Sequence, residues 1–213
     1  MMQKKGSKLE ACPERSRKAR SSKGRIFVLS GPSGSGKTTL AEKLLQAPQL
    51  KRKISRPVSF TTRPKRSGER NKKHYLFITQ AGFRRKLKEK KILEWTRYLG
   101  HYYATSKDFV ERSLRKQRHT VLCLDLKGAV TLKRLYPKNT VTVFIMPPSL
   151  EALRKRIGQR CSKTGEEEIK QRLKLAGREL AAAHRFDYCL VNRNLSRAFE
   201  ELKSIILRET LAR

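Results

Sequence analysis

The sequence predicts an α/β fold in which a parallel sheet is flanked by helices and carries a phosphate-binding loop. Three observations predict it. A short apolar run at residues 26–30 leads directly into the glycine-rich segment GPSGSGKT at residues 31–38. Further apolar runs follow at residues 120–125, 141–145 and 188–191. Helical periodicity separates these runs, and strands that alternate with helices are typical of a doubly wound parallel sheet.

The boundaries of the elements follow from local signals. The apolar run at residues 26–30 is bounded by turn-forming residues and predicts the first strand. A helix is predicted over residues 38–45, directly after the glycine-rich segment. A second helix is predicted over residues 151–160, because the Pro-Pro-Ser sequence at 147–149 is a typical start signal. From Leu195 onward, apolar residues spaced three or four apart share one face and predict the last helix.

Composition favours one folded domain with a strongly basic surface. The chain has 213 residues, 37% of them hydrophobic and 33% charged. No apolar run approaches the roughly 18 residues of a membrane span, so no membrane association is expected. The 52 basic and 18 acidic residues give a net charge of +34, which attracts polyanions at low salt. Because no zinc-finger, KH or aromatic RNP pattern is present, we expect nonspecific association with polyanions, through the basic surface and tail.

The N-terminus and the cysteines favour a cytoplasmic location. Residues 1–24 are rich in Lys, Arg and Ser, predict a disordered basic tail and lack the apolar segment of a secretory signal. The four cysteines, Cys12, Cys123, Cys161 and Cys189, show no C-x-x-C pair and no metal-ligand spacing. They are therefore expected to be reduced thiols. Whether the protein is a monomer or a dimer stays open.

The strongest local motif is the glycine-rich segment, which matches G-x-x-x-x-G-K-[ST] between a predicted strand and a predicted helix. Its glycines let backbone N–H groups surround a phosphate, and the helix N-terminus adds partial positive charge. Lys37 is placed to reach the β- and γ-phosphates, and the Thr38 hydroxyl is placed to bind Mg²⁺. The ATP contacts predicted from this motif are Gly31, Pro32, Ser33, Gly34, Ser35, Gly36, Lys37, Thr38 and Thr39.

A second set of motifs runs through the middle of the chain. SFTTRPKRSGE at residues 59–69 is followed by Tyr75-x-Phe77, Glu94-Trp95, GHYYAT at residues 100–105 and Asp125-x-x-Gly128. With these motifs in this order, the sequence from about residue 25 to the C-terminus resembles the guanylate kinase family. The resemblance implies a P-loop NTPase core with an inserted GMP-binding lobe and a helical lid. It also implies transfer of the γ-phosphate of ATP to GMP or dGMP, with Mg²⁺ as cofactor.

The resemblance also implies domain boundaries. The core would comprise residues 25–54, 106–155 and 180–213. The GMP-binding lobe would comprise residues 55–105, and the lid residues 156–179.

The residues of the second motif set suit a guanine nucleotide. Arginine offers a planar fork for phosphate, and a carboxylate paired with a hydroxyl complements the N–H donors and carbonyl of guanine. By resemblance, the GMP contacts are Ser59, Arg63, Arg66, Tyr75, Glu94, Tyr103, Thr105 and Asp125. The catalytic residues implied in the same way are Lys37, Arg156, Arg160 and Arg172, and Asn192 is expected near the adenine of ATP.

The chain departs from the family pattern at five positions. Cys123 and Lys127 replace a carboxylate and a glutamine, and Lys72, Ala104 and Cys161 replace glycines. If any of the three former glycine positions needs a positive φ, backbone strain of about 1 kcal/mol follows. Two alternatives stay open: a noncatalytic guanylate-kinase-like interaction module, and a P-loop kinase with another phosphate acceptor.

Overall fold

The computed structural model describes residues 24–160 and 165–211; of the predicted basic tail, residues 1–23 lie outside this part. The strands are β1 (Ile26–Ser30), β2 (Ile54–Ser55), β3 (Phe60–Thr61), β4 (Leu76–Phe77), β5 (Ile92–Tyr98), β6 (His101–Ser106), β7 (His119–Cys123), β8 (Thr140–Met146) and β9 (Tyr188–Val191). The helices are α1 (Lys37–Gln46), α2 (Gln80–Lys88), α3 (Lys107–Arg115), α4 (Leu126–Leu135), α5 (Leu150–Arg160), α6 (Glu166–Ala181) and α7 (Leu195–Leu211). A short 3₁₀ turn covers Ala183–Arg185.

The central sheet has five strands in the order β2-β7-β1-β8-β9, and every pairing in it is parallel. The predicted parallel sheet is therefore confirmed. Every residue of β1 and of β8 is buried, as expected for strands covered on both faces. The edge strand β2 was not predicted, because its two residues are too few to show a pattern.

Helices cover both faces of this sheet. On one face, Leu29 of β1 belongs to a core with Leu40 of α1 and Ile205 of α7. On the other face, Val28 belongs to a core with Leu132 of α4. Neighbouring residues of β1 thus serve opposite layers, because side chains alternate along a strand.

The predicted elements of the core agree with the structure to within one residue, except at one boundary. The four apolar runs all form strands, and the three predicted helices are present as α1, α5 and α7. The strand predicted over residues 120–125 ends at Cys123. Asp125 is instead the N-cap of α4, where its carboxylate accepts the backbone N–H of Gly128 at 2.8 Å. Leu124 and Asp125 therefore connect β7 to α4, and the carboxylate of Asp125 bonds forward to the first turn of the helix.

A second, four-stranded sheet of mixed direction has the order β4-β3-β6-β5. β5 and β6 form an antiparallel hairpin. Phe60, Phe83 and Ala104 form a small separate core with Trp95 and Tyr102 packed against it, and the rings of Phe83 and Tyr102 stack at 4.5 Å. This sheet lies in the segment where the sequence predicts the GMP-binding lobe.

Helices α5 and α6 pack on each other through Leu153, Ile157, Ile169 and Ala176. The segment that joins them, residues 161–164, lies outside the described part of the chain. None of the helices in residues 24–160 and 165–211 combines the length and the apolar composition that crossing a membrane requires.

Candidate active site

The phosphate loop joins β1 to α1, and Lys37 is the first residue of that helix. Gly36 before it has a φ of 100°, and a Cβ added there would lie 2.2 Å from Asn192 Nδ2, so only glycine fits. Because glycine offers no capping side chain, the first N–H groups of α1 face the loop, where they favour a bound anion. The Lys37 ammonium donates to the carbonyls of Gly31 and Pro32, which hold it against the loop.

Thr38 and Thr39 follow Lys37 in the first turn of α1. Thr38 is partly buried and Thr39 is exposed. The Thr38 hydroxyl is an oxygen donor of the type that Mg²⁺ prefers. Within the described residues, no group of three or more His, Cys, Asp or Glu side chains is arranged to hold a metal ion.

Asn192, directly after β9, supports the phosphate loop. Its side chain is buried and donates to the carbonyl of Ser35 at 2.8 Å. Its own carbonyl accepts a 3.0 Å hydrogen bond from Arg156 Nη2 of α5. Arg156 is thereby tied to the surroundings of the loop, while Arg160 ends α5 and its side chain lies outside the described part of the chain. The residue expected near adenine thus has a supporting contact with the loop.

Arg172 connects α6 to the phosphate loop. Its side chain is buried, and Nη1 donates to Ser33 Oγ at 3.1 Å. Nε donates to Glu168, one turn earlier on the same helix, at 3.0 Å. The carboxylate compensates the buried charge and orients the guanidinium. The structure therefore brings Arg156 and Arg172 to the same loop as Lys37.

Two residues that the sequence analysis missed lie beside this group. Glu179 follows Arg172 by two turns of α6, and burial raises its pKa while nearby Lys37 acts to lower it. Tyr98 ends β5, and burial raises its pKa while Arg172 acts to lower it. The seven-residue spacing from Arg172 is the one sequence signal that could have found Glu179, because it places both residues on one helix face.

A pocket lies where the second sheet meets the carboxyl end of β7, and we call it the acceptor pocket. Six of the eight predicted GMP contacts line it: Ser59, Tyr75, Glu94, Tyr103, Thr105 and Asp125. Arg56 and Cys123 also line it, although neither was predicted as a contact. The sequence motifs therefore converge on one site although they are distant along the chain.

Glu94 is the buried carboxylate of the acceptor pocket. It is 6% exposed and accepts a hydrogen bond from Thr105 Oγ1 at 2.5 Å. Burial raises the pKa of Glu94 to about 7, and Asp125 adds to this effect, while Thr105 and Lys127 oppose it. A Cβ at Gly128 would lie 2.9 Å from Glu94 Oε2, so glycine leaves room for the carboxylate. A poorly hydrated carboxylate gains strongly from N–H donors of a ligand.

Arg63 lies beside the acceptor pocket with its charge paired. Its Nη2 is 2.7 Å from Glu69 Oε1, and its guanidinium carbon lies 5.6 Å from the Tyr75 ring centroid. Burial acts to raise the pKa of Glu69, but the hydrogen bonds and positive charges of Arg63 and Arg66 together outweigh it, so the pKa is lowered. Arg66 is exposed and donates its backbone N–H to the same carboxylate at 2.8 Å. Glu69 thus holds together the two arginines that the motif predicts as phosphate contacts.

Comparison with known proteins shows which family the chain resembles. The guanylate kinase family model matches residues 23–209. The chain is 40% identical over 187 residues to the guanylate kinase of Thermotoga maritima, covering 88% of each protein. It is 38% identical over 186 residues to that of Caldanaerobacter subterraneus subsp. tengcongensis, covering 87% of this chain and 88% of the relative.

The chain belongs to the guanylate kinase family. The crystal structure of guanylate kinase from Anaplasma phagocytophilum is similar to it with a TM-score of 0.74 and 30% sequence identity, covering 90% of this chain and 89% of that one. The P-loop NTPase core predicted from the sequence is therefore confirmed.

The residues that depart from the guanylate kinase pattern have different structural settings. Lys72 has a φ of 64°, in the left-handed region that favours glycine. Ala104 lies inside β6, opposite Trp95, and is not among the residues with positive φ. Cys161 lies outside the described residues. The Lys127 ammonium lies 5.1 Å from the Trp95 ring centroid. Of the two replaced glycines in the described part of the chain, Lys72 has the strained backbone and Ala104 does not.

Replacing Lys72 by glycine is expected to raise the free energy of unfolding by about 1 kcal/mol, because glycine adopts positive φ without a Cβ clash. For a chain of this length, that is a rise of about 2–4 °C in Tm, measured by thermal unfolding. Lys73→Gly is the matched control, since Lys73 is exposed and has no positive φ. It should lower stability through chain entropy. Equal shifts in the two variants would contradict the strain at Lys72.

Proposed function

We propose that this chain is an ATP:GMP phosphotransferase, which converts ATP and GMP, or dGMP, into ADP and the corresponding diphosphate. Glu94 carries the proposal, because it places a buried carboxylate in a pocket beside a phosphate loop. Guanine presents N1–H and N2–H₂ donors to such a group, whereas adenine presents an acceptor at N1. Membership of the guanylate kinase family supports the same acceptor.

The lining of the acceptor pocket suits the two ends of GMP. Side chains with carboxylate or hydroxyl oxygens would bind the base: Ser59, Glu94, Thr105 and Asp125. Arginines and tyrosine hydroxyls would bind the phosphate: Arg63, Arg66, Tyr75 and Tyr103. The first group offers acceptors to guanine N–H groups, and the second offers donors to an anion.

Transfer requires positioning and charge neutralisation but no strong general base. The second pKa of a phosphate monoester is about 6, so the acceptor is mostly a dianion at neutral pH. Its oxygen forms a bond to the γ-phosphorus of ATP as the bond from that phosphorus to ADP breaks. Lys37, Arg172 and the α5 arginines Arg156 and Arg160 would neutralise the charge on the transferring group.

Mg²⁺ bound with ATP would screen the negative charge of the phosphates. Thr38 fits as its protein ligand, since a single hydroxyl with phosphate oxygens and waters is a usual Mg²⁺ environment.

We also propose that residues 55–105 act as the acceptor lobe and residues 156–179 as a lid. We further propose that the protein is cytoplasmic and that its cysteines are reduced. Its basic surface is proposed to associate nonspecifically with polyanions.

A coupled ADP-release assay with GMP, dGMP, AMP, CMP and UMP as acceptors tests the proposal. Turnover should occur with GMP and dGMP, and kcat/KM for AMP should be lower by at least about a hundredfold. A higher kcat/KM for another acceptor would show that the chain is a kinase for that acceptor and not for GMP. Binding of GMP without turnover of any acceptor would favour a noncatalytic interaction module.

Binding of GMP is expected to weaken about tenfold from pH 8 to pH 6, because protonation of a group with a pKa near 7 removes the charged acceptor. Burial raises the pKa of Glu94 to about 7, and its ionised form accepts both guanine N–H bonds. Isothermal titration across this range measures the change. Glu94→Gln is the control, since titration of the GMP phosphate is common to both proteins. Parallel pH profiles of the two proteins would refute the role of Glu94 ionisation.

A further inference from the structure

Arg56 places an additional cation at the acceptor pocket. It follows β2 directly and lines the pocket together with Tyr75 and Cys123. β2 is parallel to β7, with Ser55 opposite Thr120, so Arg56 and Cys123 lie at the carboxyl ends of neighbouring strands. Ligands of open α/β sheets bind at this edge.

The charge of Arg56 is weakly compensated by the protein. Its Nη1 is 4.0 Å from Glu42 Oε1, and the Glu42 side chain is 52% exposed. Among the described residues, the guanidinium donates no hydrogen bond. Arg63, in contrast, is held by Glu69 at 2.7 Å. Arg56 therefore keeps its donors available to an anion in the pocket.

The charge of Arg56 acts on two other groups that line the acceptor pocket. Burial raises the pKa of Tyr75, and Arg56 acts to lower it. Burial also raises the pKa of the Cys123 thiol, while Arg56 and Lys37 both act to lower it. Cys123 and Arg56 line the same pocket. A neutral thiol adds no second negative partner for Arg56, whereas the carboxylate of the family pattern would place a negative charge in the same pocket.

We propose that Arg56 is a further catalytic residue, which binds the acceptor phosphate where it meets the γ-phosphoryl group. The inference rests on the proposed GMP kinase activity. In the reaction, a bond forms between an acceptor oxygen and the γ-phosphorus as the bond to ADP breaks, and no proton is transferred. The negative charge stays on the phosphoryl oxygens, and a guanidinium fork contacts two such oxygens at once.

Equilibrium binding of GMP, guanosine and ATP to the full chain tests this role without requiring turnover. Arg56→Ala should weaken GMP binding by about ten- to a hundredfold and leave guanosine and ATP binding unchanged. Arg56→Lys should recover part of the loss, because the charge remains and the fork is lost. Arg52→Ala removes an exposed arginine that does not line the pocket and should have no effect. Thermal unfolding checks each fold, and Arg56→Gln, which keeps most of the length, is the substitute if alanine is unstable.

Three results would overturn the proposal. Equal weakening of GMP and guanosine would give Arg56 a structural role. Weaker ATP binding with unchanged GMP binding would show that Arg56 contacts ATP and not the acceptor phosphate. If the unaltered chain bound ATP but neither GMP nor guanosine, the proposed function itself would fail, which separates that failure from a failure of Arg56 alone.

Discussion

A Lys37→Ala variant is expected to turn over ATP and GMP about a thousandfold more slowly, with the main loss in kcat. The Lys37 ammonium lies against the phosphate loop, where it would neutralise the transferring group. Loss of one such aligned donor commonly costs a hundred- to a thousandfold. Arg172 does not compensate for the loss, because Ser33 and Glu168 hold its guanidinium at its own position beside the loop. Steady-state kinetics at saturating ATP and GMP measure the change.

Lys43→Ala is the matched control for this variant, because Lys43 is an exposed lysine on the same helix. It should keep the original kcat. GMP binding to Lys37→Ala, measured at equilibrium, should be preserved, since Lys37 does not line the acceptor pocket. Similar rates for the two variants would show that Lys37 takes no part in the transfer.

A Glu94→Gln variant is expected to lose about a thousandfold in kcat/KM for GMP, with little change in the KM for ATP. The carboxylate would accept two N–H bonds from guanine, and a hydrogen bond to a charged group contributes about 1.5–3 kcal/mol. Each 1.4 kcal/mol is about tenfold. An amide in its place turns one acceptor into a donor that faces a donor of the base. Kinetics with GMP and with AMP measure both the loss and the change in preference.

The preference for GMP over AMP should fall in this variant, because an amide N–H can donate to N1 of adenine. Glu89→Gln, which changes an exposed glutamate on the same lobe, should leave the preference intact. An unchanged ratio of the two kcat/KM values in Glu94→Gln would mean that another group selects the base.

The parts of the fold that could be predicted are those that local sequence determines. β1 is buried along its whole length, so it appears in the sequence as a short apolar run. The glycine-rich motif that follows it indicates both the phosphate loop and the start of α1. β2 has two residues, and only its pairing with β7 makes it a strand. The end of β7 was placed two residues late, because apolar continuity does not show that Asp125 caps the next helix.

The predicted site residues were identified from sequence motifs, whereas the missed residues can be identified only from tertiary contacts. Six motif residues line the acceptor pocket. Arg56 carried no signal, because in a chain with 52 Lys and Arg residues one more arginine gives no contrast. Only the parallel pairing of β2 with β7 brings it beside Cys123. Glu179 can likewise be recognised as a site residue only after the contact of Arg172 with Ser33 shows which face of α6 meets the loop.

The most direct measurement follows the phosphorus atom itself. The chain is incubated with GMP, Mg²⁺ and ATP labelled at the γ-phosphorus, and the nucleotides are separated by chromatography. The label should appear at the β-position of GDP, with Lys37→Ala as the blank and little release as inorganic phosphate. Label that is released as inorganic phosphate equally with and without GMP, or that stays in ATP although both nucleotides bind, would contradict phosphoryl transfer to GMP.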